Sequence, residues 1–333
     1  MINWLRARFR ILLITIVIFL TLSAGIFGLV KNFAYQLGPL TQSKILIIKK
    51  GSGLKNIATL LKKEGVINHP FVFRLWSWYR GVNDHLLAGE YQFSPKTSIQ
   101  STVLIISSGD TFKRRLTIPE GLLAIQIKKI ILSAPGLIGE VPDSMWRDGT
   151  MLPETYFYSY GDTRFSIVKR MRKKLYHEVK KIWSRRPANS LLRTAKEALV
   201  LASIIEKETS KIKERYIVSG VFHNRLRLGM HLQSDPTVAY GITLGKIQLK
   251  RPLTKSDLKF PSPYNTYHIK GLPPSPISTP GLAAIRSAIM PAMTPYLYFV
   301  ADGGGGHVFS STLKSHNRNV LKWRKLKRKA NRN

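Results

Sequence analysis

Residues 11–30 read ILLITIVIFLTLSAGIFGLV, twenty consecutive residues without a charge and mostly apolar. Inside a bilayer every backbone N–H and C=O must find a partner within the protein, so a lone run of this length can cross only as a helix. Arg6, Arg8 and Arg10 precede the run and only Lys31 follows it closely. The positive-inside rule then leaves residues 1–10 as a cytoplasmic tail and sends everything beyond about residue 31 to the other side. A cleaved signal peptide is the competing reading, with Ser23 and Gly25 before a cut. The apolar run continues past that point, which favours an uncleaved anchor. Trp4 and Phe33 fall where the two membrane interfaces would lie.

The rest of the chain is long enough for two domains with their own cores. No cysteine is present, which excludes disulfides, thiolate metal sites and a cysteine nucleophile. The formal charge of +35 calls for an anionic partner, whether nucleic acid, lipid or an acidic polymer. An anchor with its N-terminus in the cytoplasm would carry the basic domains away from nucleic acid.

After a linker at 31–43, residues 44–118 read as a small α+β unit. Lys44–Lys50 suits a strand, Leu54–Lys63 a helix with Ile57, Leu60 and Leu61 on one face, and FVFRLWSWYR a second helix opened by Pro70. Leu86–Phe93 reads as a strand, Ser98–Ser107 as a helix and Arg114–Ile118 as a further strand. The β-α-α-β order resembles a LysM module, a small fold that holds N-acetylated glycans. Phe71, Phe73, Trp76, Trp78 and Tyr79 could stack on sugars, although aromatics at helical spacing are more often core.

Between 119 and 193 the chain is helical and basic. Gly121–Leu132 and Phe165–Trp183 read as helices, the second with Val168, Met171, Leu175, Val179 and Ile182 on one stripe and cations opposite. Met151–Tyr156 reads as a loop holding an isolated carboxylate, Glu154.

From 194 the signals sharpen. Thr194 and Glu197 form a capping box for TAKEALVLASIIEKET, an apolar helix on which Lys196, Ser203 and Lys207 gather as a narrow polar strip. Glu206 lies near the C-terminal end of that helix. Burial and the negative end of the helix dipole would both raise its pKa and suit it to proton donation. An ion pair with one of the many cations is the plainer alternative. A second helix is expected over Glu214–Leu228, then a polar turn with Gln233, Ser234, Asp235 and Pro236. The Pro/Tyr-rich loop 261–276, a helix over Leu282–Met290 and two strands, Tyr296–Val300 and His307–Ser310, follow. The strands are joined by Asp302–Gly306, and the tail after Trp323 reads as a frayed basic run.

The residue types narrow the chemistry. The Gly303–Gly306 run has no following Gly-Lys-Ser/Thr and joins strands, so it is not a P-loop. The 8 histidines show no helical ligand spacing, and neither GxSxG nor SxxK occurs, so no metal and no cofactor is expected. Carboxylates remain. Glu206 and Glu208 are two apart on a helix, roughly 200° around it, and cannot be acid and base of one site. Asp235 is the second carboxylate within a polar segment, although Asp before Pro also starts a helix or turn. Chemistry through a single Glu therefore stays open beside the two-carboxylate pattern of an ordinary glycosidase.

The segments LVLASIIEKET, VFHNRLRLGMHLQSDPTVAYGI, YNTYHIKGLPPSPISTPG and TPYLYFVADGGGGHVF closely resemble the endolytic murein transglycosylase (YceG-like) family, in order and spacing. The resemblance spans about 44–320. It implies an α+β protein of the bacterial inner membrane: one transmembrane helix, the LysM-like subdomain, and a larger mixed α/β catalytic domain over 119–320 facing the periplasm, before a basic tail at 321–333. It implies cleavage between N-acetylmuramic acid and N-acetylglucosamine inside peptidoglycan strands, leaving 1,6-anhydro ends, with glycan strands as substrate and a peptidoglycan synthase as a further partner. The family's catalytic Glu is taken to fall on Glu206, with Glu208 beside it as a supporting residue. Gln233, Ser234, Asp235, Asn265 and Tyr267 are taken to line the groove. At Met151–Thr155 the chain departs from the family's more frequent Phe-Pro-Asp before the Thr but keeps a carboxylate. A hydrolytic muramidase and a non-catalytic wall-binding scaffold are the alternatives.

Overall fold

The computed structural model describes residues 2–330; Met1 and the tail residues 331–333 lie outside the described residues. The described chain divides into two compact units, one reaching to Arg114 together with Ser159–Gly161, the other holding Arg115–Tyr158 and the chain from Asp162.

The first unit opens with α1 (Ile2–Tyr35), whose apolar stretch is long enough to cross a membrane and is unburied. The helix does not stop at the end of the apolar run. Neither Gly nor Pro intervenes between Lys31 and Gln36, and the last turns pack into the unit, with Ala34 fully buried. The expected linker at 31–43 is thus partly helix and core: Leu40 is buried too. Strand β1 (Lys44–Ile48) pairs antiparallel with β2 (Gly89–Phe93), Lys44 opposite Phe93 and Ile48 opposite Gly89. Between them run α2 (Leu54–Lys63) and α3 (Pro70–Tyr79), and α4 (Ile99–Ser108) follows, capped by Ser98. The aromatics of α3 divide: Phe73 and Trp76 are core, whereas Phe71, Trp78 and Tyr79 are exposed.

Strand β3 (Arg114–Thr117), in the second unit from Arg115 on, pairs with β4 (Thr155–Tyr158), so the segment read as a loop stays irregular over Met151–Glu154 and becomes strand at Thr155 and Tyr156. Glu154 is ion-paired with Lys174. Helix α5 (Ala124–Ser133) and the start of α6 (Arg164–Trp183) cover this pair, with Ile127, Ile131, Tyr156, Ile167 and Met171 buried together.

The larger core surrounds α7 (Ala195–Glu208). Its capping box forms as expected: the Thr194 hydroxyl accepts from the Glu197 N–H at 3.1 Å and the Glu197 carboxylate accepts from the Thr194 N–H at 3.4 Å. Leu201, Ala202, Ile204 and Ile205 are buried against α8 (Ile212–Arg227) and α10 (Leu282–Ile289). Ser203 departs from the expected polar strip. It is fully buried; its hydroxyl donates to the Val200 carbonyl and accepts the Ile277 N–H at 3.0 Å, while its carbonyl accepts from the Ser278 hydroxyl. The loop before α10 covers this face of α7.

The segment expected as a polar turn is mostly α9 (Asp235–Thr243), with Ser234 at the N-cap and Pro236 in the first turn. The hairpin β5 (Tyr298–Ala301) and β6 (His307–Ser310) is closed by Asp302, whose carboxylate accepts from the N–H groups of Gly304 and Gly306. The basic tail does not fray after Trp323: α11 (Leu313–Ala330) continues through it, holding the hairpin through Asn319 to Ser310 and through Leu326 beneath Gly303.

Candidate active site

Two carboxylates leave the C-terminal turn of α7 on opposite sides, as the helical spacing requires. They meet different surroundings.

Glu206 turns toward α8 and α10. One oxygen accepts from Arg215 Nη2 at 2.7 Å and the other from the Gly281 N–H at 3.0 Å. Both side chains of this ion pair are 5% exposed. Arg215 also reaches Glu120 at 3.3 Å. A Cβ at Gly281 would lie 1.7 Å from a Glu120 oxygen, so the end of the Glu120 side chain packs against this backbone and would have to swing aside for any larger residue. Burial pushes the Glu206 carboxyl up; the Gly281 N–H and Arg215 pull it back, and Glu120 adds to the rise. Both oxygens already face N–H donors that favour the charged form.

Glu208 turns the other way, into a cavity of about 300 Å³. Arg225, Gln233, Asp235 and Tyr267 share its polar wall, and Leu232, Phe299 and His316 complete it. No cation pairs directly with Glu208 among the described residues; its bond is from the Ser234 hydroxyl at 2.5 Å. Burial pushes the Glu208 carboxyl up to about 7, Ser234 opposes this, Asp235 adds to it, and His307 and Arg225 oppose it electrostatically at longer range.

The residues around Glu208 are held in place by bonds to their own neighbours. Gln233 has a φ of 49°, in the left-handed region that costs a non-glycine residue on the order of 1 kcal/mol. Its N–H donates to the Thr266 carbonyl at 3.1 Å and its side-chain oxygen accepts from Arg225 at 3.4 Å. The Tyr267 hydroxyl donates to Asp235 at 2.6 Å, and burial, then Asp235, raises its pKa. Arg225 is buried and donates to the carbonyls of Leu232 and Leu297 at 2.8 and 2.7 Å, tying α8 to the hairpin.

Three of the expected groove residues thus line the cavity: Gln233, Asp235 and Tyr267. Ser234 is buried behind it and touches Glu208 instead. Asn265 is fully buried. Its amide donates to the carbonyls of Leu258 and Phe260 and its oxygen accepts from the Tyr267 N–H, so it builds the loop that presents Tyr267. Arg225, Phe299 and His316 were not anticipated, because the cavity gathers them from α8, β5 and α11. The one signal for Arg225 was its place in an otherwise apolar helical stripe.

Comparison with known proteins agrees with this architecture. The sequence profile of the YceG-like family matches residues 46–322. An endolytic murein transglycosylase of Bacillus subtilis is 32% identical over 302 residues, covering 81% of this chain and 82% of that protein. One from Streptococcus pneumoniae is 29% identical over 318 residues; these cover 82% of this chain but 57% of the pneumococcal protein, which is much longer. The crystal structure of a YceG-like protein from Listeria monocytogenes superposes with a TM-score of 0.52 at 29% identity, covering 83% of this chain and 99% of that one. The chain belongs to the YceG-like family.

Proposed function

We propose that this protein is a membrane-anchored endolytic lytic transglycosylase of peptidoglycan, and that Glu208, rather than Glu206, is its acid and base. The relatives named endolytic murein transglycosylases support the reaction class. The observation that carries the residue assignment is the contrast at the end of α7. Glu208 lines the cavity with a carboxyl raised to about 7, whereas both Glu206 oxygens are held by Arg215 and Gly281.

Near neutral pH such a carboxyl is partly protonated and matched to proton transfer. Glu208 gives its proton to the glycosidic oxygen as the C1–O bond of N-acetylmuramic acid breaks. The C6 hydroxyl of the same sugar attacks C1, and its proton passes to the Glu208 carboxylate. The 1,6-anhydro ring closes, no water is consumed, and Glu208 ends protonated as it began. The intramolecular attack needs no positioned second nucleophile. Gln233, Asp235 and Tyr267 contact the sugars around this bond. α1 anchors the protein in the inner membrane with residues 1–10 cytoplasmic, and the β-α-α-β unit, with Phe71, Trp78 and Tyr79 exposed, holds glycan as a LysM-like module.

Asp235 favours a second reading. A second carboxylate in the same cavity is what a hydrolase uses to activate water. Mass analysis of products from uncross-linked glycan strands separates the two. Anhydro ends, lost in Glu208→Gln and kept in Glu206→Gln, are expected. Ends one water heavier mean hydrolysis, and an inactive Glu206→Gln beside an active Glu208→Gln returns the role to Glu206. A wild-type protein that binds strands without turning them over is a scaffold.

A further inference from the structure

His316 lies on α11, more than a hundred residues from Glu208, yet both line the same cavity. Its ring stacks on Tyr298, with centroids 5.2 Å apart and planes 23° from parallel. The Arg225 guanidinium lies 5.2 Å from the centre of that Tyr298 ring. Nδ1 of His316 is buried and meets no hydrogen-bond partner among the described residues. Nε2 is not enclosed in this way, and the ring that carries it lines the cavity. A histidine that served packing alone would satisfy its buried nitrogen or give way to an apolar ring, since a buried polar atom without a partner costs about 1–3 kcal/mol.

The electrostatics point to one protonation form. Burial and the nearby Arg225 charge both lower the His316 pKa, so the ring is neutral at pH 7 and carries one N–H. A lone pair suits Nδ1, which is enclosed, better than a second proton does. The proton then sits on Nε2, the nitrogen that is not enclosed.

We propose that His316 is a substrate-contacting residue that donates from Nε2 to an uncharged oxygen acceptor of the glycan, a hydroxyl or an acetamido carbonyl, beside the bond that Glu208 cleaves. The proposal rests on the glycan-cleaving role given above. It also gives α11 a function: the basic helix holds the hairpin and brings a neutral donor to the site. A neutral imidazole suits the task, because a second cation near Glu208 would lower the acid's pKa, whereas a neutral donor binds sugar and leaves the acid protonated.

His316→Phe keeps an aromatic ring against Tyr298 and removes the nitrogen; His316→Gln places an amide N–H near the position of Nε2. Both are compared with wild type for kcat/KM on uncross-linked glycan strands. Both are also combined with Glu208→Gln, so that strand affinity is measured by calorimetry without turnover, with thermal melting as the check on folding. Losing one neutral hydrogen bond predicts that His316→Phe lowers both kcat/KM and affinity about 3- to 10-fold, with His316→Gln close to wild type. The inference is overturned if His316→Phe matches wild type in both measurements, or if His316→Gln is impaired as much as His316→Phe. Absence of turnover in wild type would remove the functional reading, while the affinity comparison still decides the role of His316.

Discussion

The Ser234 hydroxyl donates to Oε1 of Glu208 across 2.5 Å, and it is the only side-chain hydrogen bond to that carboxylate among the described residues. The hydroxyl is itself fixed. Ser234 is buried, its N–H donates to Thr266 Oγ1 at 3.0 Å and its carbonyl accepts from Thr237 Oγ1 at 2.6 Å. A neutral donor orients a carboxyl without neutralising it, as a cation would. Two residues earlier, Glu206 has Arg215 in that place.

Ser234→Ala tests this relationship. The hydroxyl stabilises the charged form of Glu208, so its removal raises a pKa that burial has already pushed to about 7. An acid required in its protonated form loses activity as pH rises through its pKa. The alkaline limb of the kcat/KM profile should therefore move upward, by roughly half to one pH unit for a bond of about 1 kcal/mol. A limb that stays in place or moves down separates Ser234 from the acid.

The same shift makes Glu208 a liability for folding. Its folded pKa of about 7 lies above the value of 4.5 expected when unfolded. The folded state then binds the extra proton between these values, so the contribution of this group to stability is fully present below pH 4.5 and is lost as pH rises through 7. Glu208→Gln should lose activity by about 10²–10⁴-fold and yet be more stable than wild type at pH 8, by on the order of 2 kcal/mol. The stability difference should shrink toward pH 5. Chemical denaturation at the two pH values measures it, and a variant less stable than wild type at pH 8 contradicts the burial argument.

Glu206 should show the opposite pattern. Glu206→Gln leaves the buried Arg215 with Glu120 as its remaining carboxylate, 42% exposed and 3.3 Å away, beside the Thr209 carbonyl that it already reaches. Breaking a buried pair costs about 3–5 kcal/mol when nothing replaces the partner, and Glu120 should hold the loss to about 1–3 kcal/mol. Gly281→Ala meets only the end of the Glu120 side chain, which can swing toward solvent, and should cost less than Glu206→Gln. Both variants should melt earlier and retain kcat per folded molecule. Loss of kcat with unchanged melting in Glu206→Gln would place the chemistry on the wrong carboxylate here.

What the sequence exposes and what it hides divide by range. The Thr194–Glu197 box, the end of α8 before Gly229 and the β5–β6 hairpin depend on residues a few positions apart, and all form near their expected places. Ser203 projects with Lys196 and Lys207 on a helical wheel, and only the arrival of Ile277 and Ser278 buries it. α11 looks like a frayed basic tail until the hairpin gives Asn319 and Leu326 something to hold. The spacing of Glu206 and Glu208 showed that they face apart but not which of them faces the cavity. That depends on where Arg215, Gly281 and Ser234 lie.

Ser203 offers a stability test away from the chemistry. In Ser203→Ala the Ile277 N–H loses its acceptor inside the core and the Val200 carbonyl loses a donor. A buried N–H left unpaired costs about 1–3 kcal/mol, so the variant should melt several degrees lower. Ser203→Val, which adds volume to a fully buried position as well, should be worse than Ser203→Ala. Equal melting temperatures for wild type and Ser203→Ala would mean that the loop over α7 contributes nothing to holding the core.

The end of α1 gives the last prediction. Its final turns belong to the first unit: Ala34 is fully buried, Tyr35 packs edge-on against Trp76 with ring centroids 5.7 Å apart, and Phe33 lies 4.8 Å from the His69 ring. A soluble form beginning at residue 30 keeps these contacts, whereas one beginning at residue 37 uncovers Trp76, the largest side chain in that core. An aromatic pair contributes about 0.5–1.5 kcal/mol beyond the area it buries, and with the loss of Ala34 the shorter form should be less stable by about 1–3 kcal/mol. Shared between folding units of this size, that amounts to a melting transition several degrees lower for the first unit. The second unit, which carries Glu208, should melt at the same temperature in both forms. If the two forms melt alike throughout, α1 ends as a tether at residue 30. If the shorter one loses its first transition, the anchor is also a structural helix of the unit it carries.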